Sequence, residues 1–508
     1  MTATSLAPSY CRRVGAAVLL VGLGDFLLYD QPIGITVFLF GMVLAGAVVA
    51  MHPAAISNGR VWLRPLALFA GLLPLVENVS PLSVLVAIVA LALFALSLGG
   101  RLGPGLARIA KQICLFLLAA PFRFARDFIG WRKAARRLGR RGIRLAAITV
   151  WIMPLTLGAV FLALFGAANP IIEHWFSLID LYALLEYIEV GRVVFWLVVL
   201  AGVWAFLRPR LPRFVSRIRR LAPAAPTARP ARASAEDIIF GKAAILRALM
   251  VFNALFAVQT ALDATYLWGG VALPDGLTYA AYAHRGAYPL VVTALLAAGF
   301  VLAALKPGSE TSHDPLIRRL VYLWVAQNIV LVISSILRLD LYVDVYALTY
   351  LRIAAFVWMG LVAAGLALII ARIALGKSSE WLFSANLLTL SATLYACCFV
   401  NFAALIANYN VDHSLEMTRH GVPLDICYTR SLGPDALPAL GRFFDHQKRS
   451  YPDREAGDET DLIAEAHYRA SQKNWRAWSF RDWRLLRYLE KNGALADPAV
   501  TQPYAPGH

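Results

Sequence analysis

The chain has little charge. Only 16% of its 508 residues are Asp, Glu, Lys or Arg, whereas soluble domains carry about 25%. Hydrophobic residues make up 59%, and the mean hydropathy is +0.62. Long apolar runs recur between residues 14 and 411, many of them close to the ~20 residues that a helix needs to cross a bilayer. This composition excludes an ordinary soluble protein and predicts an all-α, polytopic helical membrane protein.

The motifs of common catalytic and cofactor-binding sites are also missing. No HExxH, GxSxG or phosphate-binding glycine loop occurs in a suitable context. The five cysteines form no CxxC pair and have no metal-ligand spacing, and Cys397 and Cys398 are adjacent within an apolar run. The cysteine pattern disfavours a disulfide framework. We expect neither a metal site nor a cofactor.

Acidic residues are scarce: 31 stand against 48 Lys and Arg, which gives a net charge of +17. Most of the positive charge lies in short segments beside the apolar runs, where Lys and Arg mark cytoplasmic loops. We therefore expect the lipid bilayer as the partner of the basic residues, and no nucleic acid. The alternation of basic loops predicts a cytoplasmic amino terminus and an extracytoplasmic carboxyl terminus.

The apolar runs predict about eleven transmembrane helices and a small helical extracytoplasmic C-terminal region. No internal repeat is visible, which disfavours a transporter built from inverted repeats. The predicted order is four transmembrane helices in 1–98, a basic amphipathic cytoplasmic or interfacial segment in 99–143, helices five and six with an outer loop in 144–207, a cytoplasmic Pro/Arg-rich linker in 208–242, a five-helix membrane domain in 243–407 and an extracytoplasmic helical tail in 408–508.

The segment 101–144 is the most basic part of the chain. Its apolar residues recur at helical spacing, but its apolar part is too short to span a bilayer. The pattern predicts a helix over 104–129, kinked at Pro121, that lies in the membrane interface and contacts anionic inner-leaflet lipids. A docking arm for a soluble protein partner is the alternative. In the interfacial orientation lipid surrounds Ile109, Ile113 and Phe116, and water surrounds Arg108 and Lys111.

The tail after Asn408 has a nearly balanced charge and interleaves arginines with Trp and Tyr. Such interleaving is found where proteins stack on single-stranded nucleic acid. The predicted extracytoplasmic location instead favours a small helical cap that lies on lipid headgroups and on the ends of the spans.

Polar side chains concentrate in residues 253–285, where an apolar helix leads into a loop punctuated by Gly and Pro. Polar groups inside a span are costly unless paired, so they are candidates for function. The predicted topology brings several of them near the outer leaflet. Asp263 and His284 are the candidate catalytic acid/base pair, and the candidate ligand-binding residues are Tyr282, Arg285, Arg338, Arg352, Asn408 and Asn410.

Three arginines on one side of the membrane suit a lipid headgroup or another anionic ligand, because guanidinium binds phosphate and carboxylate groups bidentately. The alternative is structural. Arg338 then pairs with Asp340, and Arg352 with Asp344, as ion pairs that anchor helices and loops. The sequence leaves both readings open.

Four segments of the back half resemble a bacterial family of multi-pass membrane proteins known as a domain of unknown function, of the 4173 or 4153 type. The resemblance is strongest over residues 243–440 and implies a bacterial inner-membrane protein, without implying a substrate or active residues. The segments that carry it are TYAAYAHRGAYPL (278–290), RRLVYLWVAQNIVLVISSILR (318–338), YALTYLRIAAFVWMGLVA (346–363) and LYACCFVNFAALIANYNV (394–411).

Three functions fit these observations. The first is an enzyme of envelope or lipid-linked substrate metabolism that binds a lipid headgroup or anion in the outer pocket. The second is a sensor or assembly factor that signals between the outer cap and the basic inner segment. The third is a transporter, in which Asp25, Asp263, Gln327 and Asn328 line a path.

Overall fold

A computed structural model gives the fold of this chain. The described residues contain no β-strand; an isolated bridge joins Ser414 and Val422. The chain forms two compact units, which are treated separately below: residues 1–104, 108–217 and 475–479 make the first, and residues 105–107, 218–474 and 480–508 make the second. The structure describes residues 6–52, 63–100, 102–127, 129–130, 189–209, 242–268, 314–450 and 474–492, with isolated positions at 154, 157, 158, 161, 292, 296, 299 and 300.

The described part of the first unit is a bundle of apolar helices around one core. Residue Ser80 begins the fourth helix with a capping box, and Pro81 occupies the first helical position, where its missing N–H costs no hydrogen bond. The core is made of aliphatic residues, Phe94, Phe116, Phe206 and Trp204, of which Trp204 is 1% exposed. The helices are α1 (Leu6–Leu28), α2 (Ile35–Met51), α3 (Leu63–Glu77), α4 (Pro81–Leu98), α5 (Leu106–Ala119) and α6 (Val190–Leu207), followed far along the chain by a 3₁₀ turn at Trp475–Ala477.

Helices α3 and α4 pack at very close range. A Cβ added at Gly71 would overlap the Cβ of Ala90 on the facing helix. Small residues permit such an approach, and inside a membrane van der Waals packing of this kind is a main source of helix association.

The charged residue in the first apolar run has a partner within the first unit. Asp25 accepts two hydrogen bonds from the guanidinium of Arg192 on α6, at 2.8 and 2.6 Å, and a third from the indole of Trp196 at 2.9 Å. A bidentate pair of this geometry fixes the orientation of both side chains. Asp25 therefore joins α1 to α6.

Helix α5 ends just before Pro121, where the kink was predicted, but one residue predicted to face lipid does not do so. The helix has 14 residues, too few to span a bilayer, and the chain turns at Pro121. Phe116, however, lies in the protein core, with no exposed surface, against Phe206 at 5.5 Å between ring centroids. Arg123, also buried, donates to the carbonyl of Phe116 and lies over its ring. The apolar stripe at Phe116 packs on protein because neighbouring helices supply a matching apolar surface.

The second unit contains the long helices of the back half. The helices are α7 (Lys242–Asp263), which continues as a π-helix (Ala264–Trp268), α8 (Pro315–Tyr346), α9 (Tyr350–Ala374), α10 (Ser379–Cys397), α11 (Phe402–Asp412), α12 (Leu415–Thr418), α13 (Ile426–Ser431), a 3₁₀ turn (Pro434–Ala436), α14 (Leu437–Ser450) and α15 (Phe480–Asn492).

The last predicted span is broken. The run from Trp381 to Ala407 is apolar enough to cross a membrane as one helix, but the structure divides it into α10 and α11, which meet at 70°. Asn401 begins α11, because its side-chain oxygen accepts the backbone N–H of Ala404 at 3.1 Å.

Five helices in the described ranges are long and apolar enough to cross a membrane, or six if the bent pair counts as one span. Those five are α4, α6, the stretch Lys242–Tyr266, α8 and α9. The total of about eleven stays a prediction, because the predicted spans at 145–166 and 287–305 lie largely outside the described residues and α1, α2 and α3 are not among the five. Most of the linker and residues 131–143 of the basic segment also lie outside the described residues.

Asp435, in the turn before α14, gives the second unit a pH dependence. Burial raises the pKa of this carboxyl group, although a hydrogen bond with Asn401 and the charges of Arg481 and Arg484 oppose the shift. The folded state therefore binds the proton more tightly than the unfolded state. The free energy of unfolding should rise as the pH falls through the raised pKa, down to about pH 4, the ordinary aspartate value.

We expect Asp435→Asn to stabilise the protein at pH 7, by an amount on the order of 1 kcal/mol or less, because Asn carries no charge to desolvate. The gain should shrink as the pH approaches 4. Thermal unfolding of the purified protein and the variant from pH 4 to 8 measures this. Parallel curves at all pH values would contradict it.

Candidate functional site

Two of the predicted site residues meet inside the second unit. Asp263, at the end of α7, forms an ion pair with Arg338 of α8, and both side chains are almost fully buried. Gln259, one turn earlier, donates to the same carboxylate oxygen at 3.0 Å. The π-helix begins directly after Asp263, and such segments are frequent at functional sites. The Asp263 carboxylate is held by the Arg338 guanidinium and the Gln259 carboxamide. These contacts agree with the structural alternative, in which Arg338 forms an ion pair that anchors helices, with Asp263 as the partner.

Arg352 and Asn410 hold the connection between α8 and α9. The Arg352 guanidinium donates to the carbonyls of Tyr346 and Ala347, which are the last acceptors of α8, and lies 4.6 Å from the ring centroid of Tyr342. Asn410 accepts the backbone N–H of Leu348 at 2.7 Å and donates to the carbonyl of the same residue at 3.0 Å. These contacts clamp a turn in which Ala347 has a φ of 63°.

The described contacts do not link the remaining predicted site residues to this turn. Asn408 donates to the carbonyl of Ala404 at 2.7 Å and accepts from Arg442 at 2.7 Å. Tyr282, His284 and Arg285 lie outside the described residues, so the acid/base pair of Asp263 with His284 and the three-arginine pocket stay predictions.

A cleft of about 230 Å³ opens where α8 and α11 end. Asp344 of α8, Tyr409 of α11 and His413 directly after α11 form one wall, and the end of α12 with the loop after it forms the other. The cleft is open to the surroundings, because Asp344, His413 and His420 are all exposed. The loop contributes Thr418, His420, Gly421, Val422, Pro423, Leu424 and Asp425.

His413 is oriented by its own helix. Its Nδ1 lies 2.9 Å from the carbonyl oxygen of Tyr409, and its ring stacks on the Tyr409 ring with centroids 4.1 Å apart. A carbonyl oxygen only accepts hydrogen bonds, so Nδ1 carries the proton and Nε2 of the neutral ring has a basic lone pair. The Tyr409 hydroxyl contacts Asp344 at 3.4 Å. The cleft therefore presents a carboxylate, a phenol and an imidazole.

The loop that closes the cleft is fixed by local hydrogen bonds. Gly421 has a φ of 90°, and a Cβ there would lie 2.8 Å from the carbonyl oxygen of His413. Asp425 accepts the N–H of Tyr428 and begins α13. Glu416 accepts the N–H of Leu424 at 3.1 Å. The loop thus has a defined shape against α11.

The sequence offers only weak signals for this cleft. Of the residues that line the cleft, Asn410 was predicted to bind a ligand, but it clamps the turn between α8 and α9. Asp344 was predicted only as an ion-pair partner of Arg352. Tyr409, His413 and His420 were not predicted as site residues. The signal that the sequence does offer is the spacing of Tyr409 and His413, four residues apart at the end of an apolar run and before a loop that contains Gly421 and Pro423. No three His, Cys, Asp or Glu side chains come together as a metal-binding group within the described ranges.

The apolar helices and the buried ion pair within them define a helical multi-pass membrane protein. Residues 65–443, about three quarters of the chain, match the family model described as a domain of unknown function, DUF4153, and the chain belongs to this family. The match confirms the resemblance and extends it into the front half. No curated protein and no solved structure matched the chain.

Proposed function

We propose that this protein binds the headgroup of a membrane lipid, or of a lipid-linked envelope precursor, in the cleft at the ends of α8 and α11. The observation that carries the proposal is the wall formed by Asp344, Tyr409 and His413, at the exposed end of two membrane helices. In this proposal the cleft faces the outer side of the bacterial inner membrane, as the distribution of Lys and Arg favours.

The chemistry of the wall favours a headgroup that donates hydrogen bonds. Asp344 and the Nε2 atom of His413 are acceptors, and Asp425 adds a second carboxylate to the lining. No arginine or lysine lines the described cleft. A group with an ammonium or several hydroxyls therefore fits this cleft better than a bare anion.

A proton-transfer reaction at the bound headgroup is compatible with this wall. His413 is positioned to accept a proton through Nε2, and Tyr409 holds both the ring of His413 and the carboxylate of Asp344. Binding is the part of the proposal that the geometry supports directly, and any catalysis depends on it.

Asp344→Asn and His413→Phe should each weaken binding of phosphatidylethanolamine, roughly tenfold or more, because the first removes the negative charge that attracts the ammonium group and the second removes the Nε2 acceptor. Native mass spectrometry of the purified protein in detergent, titrated with this lipid, measures the change. Asp412→Asn is the matched control: Asp412 neighbours His413 but forms an exposed ion pair with Arg442 outside the cleft. Equal lipid binding by all three variants and the unaltered protein would reject the cleft as the site.

A further inference from the structure

Arg372, in the last turn of α9, is a buried cation with no counter-ion among the described residues. The residue is 4% exposed, and its guanidinium makes one hydrogen bond, in which Nη2 donates to the hydroxyl oxygen of Ser379 at 3.1 Å. The Nη1 atom is buried and has no acceptor in the described part of the chain. A buried charge without a partner is strongly unfavourable, so an anion from outside the chain would stabilise this arrangement.

The Arg372 side chain does not cap its own helix. The N–H of Leu375 already donates to the carbonyl of Ala371, and the N–H of Lys377 to the carbonyl of Arg372, each at 2.9 Å. The guanidinium instead reaches Ser379, the first residue of α10. It thus adds positive charge to a helix N-terminus, where the backbone dipoles are already positive.

The first turn of α10 has hydrogen-bond donors to spare. Ser378 caps the helix, and its side-chain oxygen accepts the N–H of Trp381 at 3.2 Å. The N–H groups of Ser379 and Glu380 have no acceptor within the described ranges, and both residues are exposed. The Ser379 hydroxyl oxygen accepts from Arg372, so its own proton is available to a second acceptor. Two N–H groups and one hydroxyl are therefore free within one turn, and the guanidinium lies 3.1 Å from that hydroxyl.

We propose that the first turn of α10 binds a phosphate group. A phosphate has several acceptor oxygens for the two N–H groups and the hydroxyl, and its charge neutralises Arg372. Lys377, exposed one residue before the cap, adds to the attraction. The exposed carboxylate of Glu380 opposes it, but the two cations and the helix dipole outweigh this one negative charge. The phosphate belongs either to a phospholipid headgroup or to a soluble anion, and the chemistry of recognition is the same for both.

The position of the turn along α9 suits a phospholipid. Helix α9 is long and apolar enough to cross a membrane, so its ends lie near the depth of the lipid phosphates. Arg372 is about 33 Å along the helix from Tyr350, the residue nearest the cleft. The site is therefore at the opposite end of the span from the cleft and does not depend on the function proposed there.

Hydrogen–deuterium exchange measures the occupancy of this turn, because the N–H groups of Ser379 and Glu380 exchange rapidly until an anion accepts them. The full-length protein is delipidated in dodecyl maltoside, a detergent without phosphate. One arm adds phosphatidylglycerol, and the other adds inorganic phosphate, with chloride at equal ionic strength as its reference. Exchange in peptides that cover 375–382 should slow by about threefold or more. Slowing with phosphatidylglycerol alone identifies a lipid headgroup site, whereas slowing with inorganic phosphate identifies a site that a soluble phosphate can fill.

Arg372→Gln removes the buried charge and should abolish the slowing. Arg318→Gln is the matched control, because it removes the same charge from an exposed position near the start of α8 and should respond like the unaltered protein. Unchanged exchange in residues 356–369 of α9 shows that a variant is folded. The proposal is overturned if neither probe slows exchange at 375–382, or if the folded Arg372→Gln responds like Arg318→Gln.

Two further variants keep the test decisive if Arg372→Gln does not fold. Ser379→Ala and Glu380→Gln alter exposed side chains. The first loses a donor and should weaken the slowing, and the second loses the opposing charge and should strengthen it. Equal responses of these two variants would also overturn the proposal.

Discussion

Replacing Arg338 by Met should sharply reduce the amount of folded protein in the membrane. The substitution leaves Asp263 ionised or forces it to take up a proton, in a place where it is 1% exposed. Breaking a buried ion pair by removing one partner costs about 3–5 kcal/mol, a large fraction of the stability of a typical protein. Fluorescence-detected size-exclusion chromatography and thermal unfolding of the detergent-solubilised variant measure the loss.

Two further variants make this result specific. Asp263→Asn combined with Arg338→Met removes both charges, so it should recover much of the stability, since an apolar or neutral pair is often as stable as a buried ion pair. Arg442→Met breaks an exposed pair with Asp412 and should cost only about 0–1 kcal/mol. If Arg338→Met is as stable as Arg442→Met, the ion pair does not contribute to the fold as the structure indicates.

Because of this ion pair, a test of Asp263 as a catalytic residue must also measure folding. A purely catalytic aspartate tolerates substitution by Asn without loss of folding. The contacts with Arg338 and Gln259 instead link the charge of Asp263 to the packing of α7 on α8. A loss of activity in Asp263→Asn is therefore informative about chemistry only when the folded fraction is measured as well.

Much of the fold could be predicted, because the length and apolar composition of a segment are enough to indicate a membrane helix. The apolar runs locate α4, α6, α8 and α9, and Ser80 with Pro81 marks the beginning of α4. The break between α10 and α11 could not be predicted from Pro or Gly, since residues 398–401 contain neither. The polar signal there is Asn401, whose capping role depends on the surrounding packing.

The site was less predictable, because its contacts join residues that are far apart in sequence. Asp263 and Arg338 are 75 positions apart, so the nearer Asp340 was the natural candidate for a partner. Arg352 has helix carbonyls as partners, which no pattern of charged residues reveals. The cleft depends on the shape of the loop after α12, and a loop shape of this kind follows from hydrogen bonds such as that of Glu416 with Leu424.

The second large effect is expected at Gly34, where the start of α2 contacts a segment 440 residues later. The N–H of Ile35 donates to the carbonyl of Trp478 at 2.8 Å, and Arg476 donates to the side chain of Gln31 at 2.9 Å. Arg476 also lies over the ring of Phe26, 4.7 Å from its centroid. The turn between α1 and α2 therefore holds the 475–479 segment within the first unit.

Gly34→Ala should release this segment. The added Cβ would overlap backbone atoms of Arg476 and Ala477, which cannot move aside as the end of a flexible side chain would. Overpacking of this kind costs about 1–3 kcal/mol, and faster hydrogen–deuterium exchange at 475–479 should accompany it. Gly46→Ala, within α2, is the control: a Cβ there meets nothing within 4 Å, so exchange at 475–479 should not change. If the two variants exchange alike, the segment is held by something other than its contact with Gly34.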